Sequence, residues 1–322
     1  MKKRNFLFLL AAPLLLVSCG GGSEEVIPTG DPVSEAEVST HFKKATENLA
    51  ATDAIGMKLE LSGKATSDML STTGGYDMKG TSTGTINATL KAGAKGLRAE
   101  KFKDVKASVT GELSMSSESK VEVGGSSVSA SSTESSDSLN GKAGLYVDNG
   151  YIYGDFESIR PIMSIIASIT GGEFDEDTPL KIKASLIEKE GDANPIPGLL
   201  ETIKWDEMVD QLKETFSKEI ETIKTKAGDY AYVFTGDNSV IFGGASTDSA
   251  SLDVSGETKF SFSFNDLGLT AIGATVNGTF KTVVGGVSQT TTIEASAKAS
   301  FFYGNNVTVE DVPNPNSFVL SE

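Results

Sequence analysis

Few side chains in this 322-residue sequence could do chemistry, and they are scattered. There is one thiol, Cys19, and one imidazole, His41. A single cysteine makes no intramolecular disulfide, and a single histidine leaves no His-rich metal site and little room for a His-dependent triad. His41 sits beside Phe42 on a helical stretch, away from its apolar stripe, and no second ligand type clusters near it in sequence. It reads as a surface helix residue. Ser117-x-x-Lys120 has the spacing of a Ser-Lys nucleophile, but in a Ser-rich stretch such pairs arise by chance, and the companion motifs of penicillin-recognising enzymes are absent. The run Glu173-Phe174-Asp175-Glu176-Asp177 lacks the alternating ligands and central glycine of a calcium loop and reads as a solvated acidic loop. There is no Gly-x-Ser-x-Gly elbow, no Walker A loop and no His-Glu-x-x-His. Paired carboxylates could hydrolyse a glycoside, yet among 44 acids no pair stands out. The residues point to no enzyme, and they call for no cofactor and no metal.

The net charge is −16, with 28 bases against 44 acids. Three of the bases, Lys2, Lys3 and Arg4, fall in the first 18 residues, so the rest is more acidic still. That charge disfavours nucleic acid or an anionic lipid surface as a primary partner, because both would repel such a chain and no basic patch intervenes. Residues 1–18 read as a signal peptide: a basic head, an apolar run from Phe6 to Val17, then small Ser18. A dozen apolar residues are too few for the ~20 that span a bilayer as a permanent helix. Leu16-Val17-Ser18-Cys19 resembles the lipobox of bacterial lipoproteins. That resemblance implies cleavage before Cys19, a thioether-linked diacylglycerol on its sulfur and acylation of the new amino terminus. The partner so implied is a membrane, reached through lipidated Cys19, and the location is outside the cytoplasm. Residues 19–32 are then the lipidated cysteine and a Gly/Ser/Glu/Pro tether.

Residues 33–322 read as a single domain. Val38, Phe42, Ala45 and Leu49 recur at helical spacing behind a Ser34-x-x-Glu37 capping box. After Gly56 the period changes to two: Met57, Leu59 and Leu61 alternate with Lys58, Glu60 and Ser62, as do Val105, Ala107 and Val109 with Lys106, Ser108 and Thr110. Asn149-Gly150 predicts a type I′ hairpin in which Val147 faces Ile152 and Tyr146 faces Tyr153. The Ser-rich stretch 114–138 is either a long exposed hairpin or a loose loop. Ile162, Ile165, Ile166 and Ile169 form a helical stripe stopped by Gly171-Gly172. Leu180, Ile182, Ala184 and Leu186 suggest a strand. A third helix is expected from about Glu201 to Thr225, with Trp205, Val209, Leu212, Phe216, Ile220 and Ile223 on one side. Strands then carry Tyr230, Tyr232 and Phe234, next Phe260, Phe262 and Phe264, next Ile272, Ala274 and Val276, and last Ile293, Ala295, Ala297, Ala299 and Phe301, with Gly285-Gly286 as a turn. Val312-Pro313-Asn314-Pro315 cannot continue a central strand, so the tail wraps or trails.

This order predicts an α+β fold: a large curved antiparallel sheet, a half-open barrel, with about three helices packed on one face. It is not the βαβ alternation of a solute-binding lobe. The arrangement resembles the LolA-like lipoproteins, including the LppX/LprG type, through the lipobox, the helix at Ser34 to Leu49, the Leu145–Tyr153 hairpin, the long late strands and Val309-Glu310-Asp311-Val312-Pro313. The resemblance implies an unclosed barrel with an apolar cavity for a lipid or acylated ligand. Candidate cavity-lining residues are Tyr230, Tyr232, Phe260, Phe262 and Phe264, whose rows leave volume that either a helix or an acyl chain could fill. The rival reading is a tethered structural or adhesive surface protein without a small ligand.

Overall fold

The computed structural model describes residues 25–320 apart from 74–75, 126–127, 170–173, 176, 187–191, 202–204, 217–218, 243–244, 248–249 and 285–286. The leader, Cys19, Gly171-Gly172 and Gly285-Gly286 therefore lie outside the described residues.

In chain order the elements are β1 (Gly30–Pro32), α1 (Glu35–Ala51), β2 (Ala54–Thr73), β3 (Tyr76–Lys95), β4 (Lys106–Gly125), β5 (Val128–Asp148), β6 (Tyr151–Asp155), α2 (Arg160–Ile169), β7 (Lys181–Ser185), α3 (Ile196–Glu201) and α4 (Trp205–Thr215). They continue as β8 (Glu219–Thr225), β9 (Tyr230–Asp237), α5 (Asn238–Ile241), β10 (Ala245–Thr247), β11 (Ala250–Asn265), β12 (Gly268–Val284), β13 (Val287–Tyr303) and β14 (Val319–Leu320). The strands form one open, curved sheet in the order β1-β8-β9-β11-β12-β13-β2-β3-β4-β5-β6-β7-β14, with β10 paired to β11. All pairs are antiparallel except β14 on β7.

Strands β2 to β5 run 20 or 21 residues, about 65 Å at ~3.3 Å per residue. They reach that length because the nine prolines all fall outside the long strands, so no ladder loses a donor. Strands β2 and β3 hold one register from Ala54↔Lys95 to Thr73↔Tyr76. Strands β4 and β5 pair straight through the Ser-rich stretch, Ser117 opposite Asp137 and Ser119 opposite Ser135. Of the two readings of residues 114–138, the long hairpin is therefore the one observed.

Alternation sorts the sheet into two faces. Phe260, Ala274, Ala297 and Leu61 are consecutive cross-strand partners on the apolar face. The helix expected at Ser34 to Leu49 packs there. The Ser34 side chain accepts from the Glu37 amide at 3.3 Å, and Val38, Phe42, Ala45 and Leu49 are all buried. Val209, Leu212 and Phe216 of the α4 region join the same core. The second expected helix is present as α2, preceded by a 3₁₀ turn at Glu157–Ile159. At Gly141 on the apolar face, a Cβ would lie 2.8 Å from Ile159 Cγ2 and 3.1 Å from Ile162 Cδ1.

The third expected helix requires correction. Helicity ends at Thr215, and Ile220 and Ile223 belong to β8. Spacings of four residues fit both a helix and alternate strand positions, so the stripe Trp205, Val209, Leu212, Phe216 continued into Ile220 by coincidence. Tertiary demand decides the outcome. Tyr230 to Phe234 of β9 are buried on both faces, and their backbone needs a partner on each side. The β-branched Ile220, Thr222 and Ile223 supply it.

Two smaller readings hold. Val147 faces Ile152 and Tyr146 faces Tyr153, with Asn149 (φ 50°) and Gly150 (φ 76°) both in the positive-φ region that the turn demands. The tail wraps: Phe318 is buried against Tyr153, ring centroids 5.4 Å apart, and β14 closes as an edge strand. Of the segment 19–32 expected as a lipidated cysteine and tether, residues 19–24 lie outside the described residues and the rest is docked. Gly30–Pro32 pairs with β8, and Ile27 packs on Ile223, Ala231 and Val233.

Candidate functional site

The five aromatic residues expected to line a cavity are brought together, but as packed core. Tyr230, Tyr232, Phe262 and Phe264 are buried and Phe260 is half-buried against them. Helix α1 fills the volume they bound. Phe42 meets the Tyr232 ring at 5.8 Å and the Phe264 ring at 5.1 Å, both edge-on, a geometry favourable for aromatic pairs. Phe260 and Phe262 stack edge-on at 4.9 Å. The Tyr230 hydroxyl donates to Glu37 Oε1 at 3.0 Å, so the acid of the expected capping box reaches into the core rim.

Sequence reasoning placed His41 on the surface and missed its role. Its ring lies 4.0 Å from the Tyr230 ring, nearly parallel, and Nδ1 is 2.7 Å from Asp266 Oδ1. Lys44 binds the other oxygen of the same carboxylate, and the Asn48 amide donates to its backbone carbonyl. Lys44, then His41, hold the Asp266 carboxyl below its ordinary value. Helix α1 thus clamps the β11–β12 turn, through partners more than 200 residues apart that no local pattern reveals. Among the described residues, no group of three His, Cys, Asp or Glu could hold a metal. Ser117 stands opposite Asp137 in the β4–β5 register, and Lys120, three residues further along β4, falls on the other face of the strand.

Below this clamp, the Tyr303 hydroxyl donates to the Leu269 carbonyl at 2.8 Å, and burial pushes its ionisation up to about 12. A phenol whose folded pKa is raised contributes stability that is present below pH ~10 and lost as pH rises through the folded value. Tyr303→Phe is expected to flatten the alkaline loss between pH ~10 and ~12 by about 1–2 kcal/mol after allowance for solvent screening, as read from urea midpoints at each pH.

The open volume lies elsewhere, across the middle of the long strands, where most of its lining residues belong to the polar face. A groove of about 700 Å³ crosses β13, β2, β3, β4 and β5, with Val26 at one end and Ser158 at the other. Register explains its chemistry. Lys298 stands opposite Glu60, Thr89 opposite Glu112 and Glu112 opposite Lys142, so one cross-strand row reads Lys, Glu, Thr, Glu, Lys. The adjacent row is Ser296, Ser62, Asn87, Ser114 and Asn140. Five strands at ~4.8 Å make each row about 19 Å long. Lys58 pairs with Glu60 at 2.7 Å and Lys142 with Glu112. Hydrogen bonding from Lys142 lowers the Glu112 pKa, which keeps that carboxyl ionised, the opposite of what a proton donor to a leaving group needs. The sequence did show Lys58, Glu60 and Ser62 facing water; which strands would lie beside them was not encoded in any short segment.

No protein-family model matches the sequence, and no curated protein does. Among solved structures, the chain is weakly similar to the translocator domain of the autotransporter NalP from Neisseria meningitidis. Identity there is 8%, coverage 81% of this chain and 95% of that one, and the TM-score 0.16. A β-barrel-like protein of a domain of unknown function from Brucella abortus shares 6% identity over 79% of this chain and 100% of that one, with a TM-score of 0.14. A Pseudomonas aeruginosa FadL homologue shares 9% over 86% of this chain and 95% of that one, with a TM-score of 0.15. TM-scores this low define no common fold. No described helix is long and apolar enough to cross a membrane, which says nothing of strands.

Proposed function

We propose that this chain is an exported lipoprotein, anchored to a bacterial membrane through acylated Cys19, that serves as a tethered structural module of the envelope. In this reading the sheet is a half-open barrel whose helices occupy its apolar face, and its long hairpins extend the contact surface. The observation that carries the reading is where the free space lies. The aromatic rows suited to a hydrocarbon ligand are filled by α1 and α4, whereas the groove is lined mainly by hydroxyl, amide and charged side chains, with Val26, Leu61, Ala88 and Leu113 among them. Hydrocarbon gains little there, since most of that lining is polar and burying polar groups without partners costs free energy.

One observation favours lipid carriage as a second reading. Leu59, Leu61, Leu90 and Leu113 lie on the apolar face, half-buried, and belong to none of the packed clusters. An acyl chain laid over them would gain ~0.8 kcal/mol per buried CH₂.

Native mass spectrometry of residues 20–322, purified without detergent before and after organic extraction, separates the two. The structural reading expects a bare mass that stays unchanged when lipids are offered. A mass excess removed by extraction, with lipid in the extract, would overturn it in favour of a carrier.

A further inference from the structure

Most edges of the sheet are protected. Three residues of β1 cover β8, three of β10 cover β11, and two of β14 cover β7. Between β10 and β9, Asn238 of α5 donates to the Ser255 carbonyl of β11 at 3.4 Å. Such very short edge strands and coverings keep a sheet from pairing with another chain.

One stretch of edge is different. β6 covers Gly144 to Asp148 of β5, and the 3₁₀ turn at Glu157–Ile159 sits over Gly141. Among the described residues, nothing pairs with 128–140 on the side away from β4. That is about 40 Å of open strand at ~3.3 Å per residue. The stretch has no proline, lysine or arginine, and its register with β4 runs without a bulge from Ser131 to Val147, so the usual devices that blunt an edge are missing.

The Asn149-Gly150 turn fixes which groups face outward. A two-residue hairpin loop closes on residues that exchange both backbone hydrogen bonds, here Asp148 and Tyr151. Outward bonding then recurs at every second residue of β5, through Tyr146 and Gly144 to Asn140, Ser138 and Ser136, while the odd-numbered residues bond to β4. Ser136, Ser138 and Asn140 are exposed. An extended chain satisfies such an alternating row of N–H and C=O groups.

A second copy of β5 does so by two-fold symmetry. With Ser136 on the axis, Ser138 stands opposite Glu134 of the second copy and Asp137 opposite Ser135, so no acid meets an acid. Neighbouring strands already join hydroxyls in this way, Thr85 with Ser116 at 2.6 Å and Ser119 with Ser135 at 2.7 Å. The net charge of −16 opposes association, but Glu134 has Lys120 opposite it on β4, and charges more than about 8–10 Å away are largely screened at physiological salt.

We infer that the open edge of β5 is a self-association site, where two copies pair β5 against β5 antiparallel about a two-fold axis at Ser136 and join their sheets into one. The inference deepens the structural-module reading and rests on it, since it supplies the module's partner.

Residues 20–322 contain every described residue and no cysteine. Sedimentation over a range of protein concentrations is expected to show a monomer–dimer equilibrium that moves toward dimer as added salt screens the repulsion. Ser136→Lys sets like charges opposite one another across the axis and should weaken the dimer severalfold, with the urea midpoint of the monomer unchanged. Ser136→Cys supplies the sole thiol. Hydrogen-bonded partners have Cα atoms about 5.5 Å apart, within disulfide reach, so mild oxidation in air should yield a covalent dimer, whereas Ser114→Cys, exposed on the interior strand β4, should not. A protein that is monomeric at every concentration, or a dimer that Ser136→Lys leaves equally tight, overturns the pairing. Native mass spectrometry of the same samples separates the two readings: a bare monomer overturns the pairing alone, and a monomer carrying extractable lipid overturns the structural module with it.

Discussion

Cys19→Ser is expected to remove every trace of acyl mass from the exported protein and to move it from the membrane to the aqueous fraction. The size of the effect follows from hydrocarbon transfer. Each buried CH₂ contributes about 0.8 kcal/mol, one myristoyl-length chain gives only marginal attachment near 10⁴ M⁻¹, and two or more chains hold durably. Loss of all chains therefore changes partitioning by orders of magnitude. A retained leader would not substitute, since its apolar run from Phe6 to Val17 falls short of the ~20 residues that span a bilayer. Intact mass spectrometry and detergent-phase partitioning of both proteins check this. A wild-type mass equal to that of the unmodified chain would remove the basis for a lipid anchor.

Phe264→Ala is expected to cost about 3–5 kcal/mol of folding stability, the range for truncating a fully buried aromatic side chain. Phe264 is 0% exposed and joins α1 to the sheet, 5.1 Å from the Phe42 ring and 5.9 Å from the Tyr232 ring. Because total stabilities are ~5–15 kcal/mol, this one change could leave the domain marginal. Phe302→Ala, at a ring 40% exposed, should shift stability by no more than about 0.5 kcal/mol. Urea unfolding of the three proteins makes the comparison. Were Phe264 a wall of a lipid-filled space instead, its truncation would release bound lipid with a stability loss closer to that of Phe302→Ala.

These two residues illustrate what kind of information a linear chain carries. Cys19 is read from four adjacent residues and a preceding apolar run. Phe264 can be read as sheet-facing and apolar from alternation, but alternation does not say what covers it. Phe42, the group that does, lies over 220 residues away, and its match with the aromatic rows emerges only when β9, β11 and α1 are assembled. For the same reason His41 reads as solvated and is found stacked on Tyr230 and bonded to Asp266.

The sequence by itself determined the local elements whose causes are local. These are the capped helix after Ser34, the type I′ turn at Asn149-Gly150, the two-residue period of the long strands, and a tail ended by prolines. Each depends on φ preferences, side-chain caps or face alternation within a few residues. Only the tertiary structure decided that Ile220 and Ile223 pair as a strand, that residues 26–32 dock rather than swing free, and that Lys298, Glu60, Thr89, Glu112 and Lys142 form one row. Those outcomes depend on which strand lies beside which. Strand adjacency is set by the burial of whole faces and the closing of backbone hydrogen bonds across the sheet, free energies that belong to no single segment.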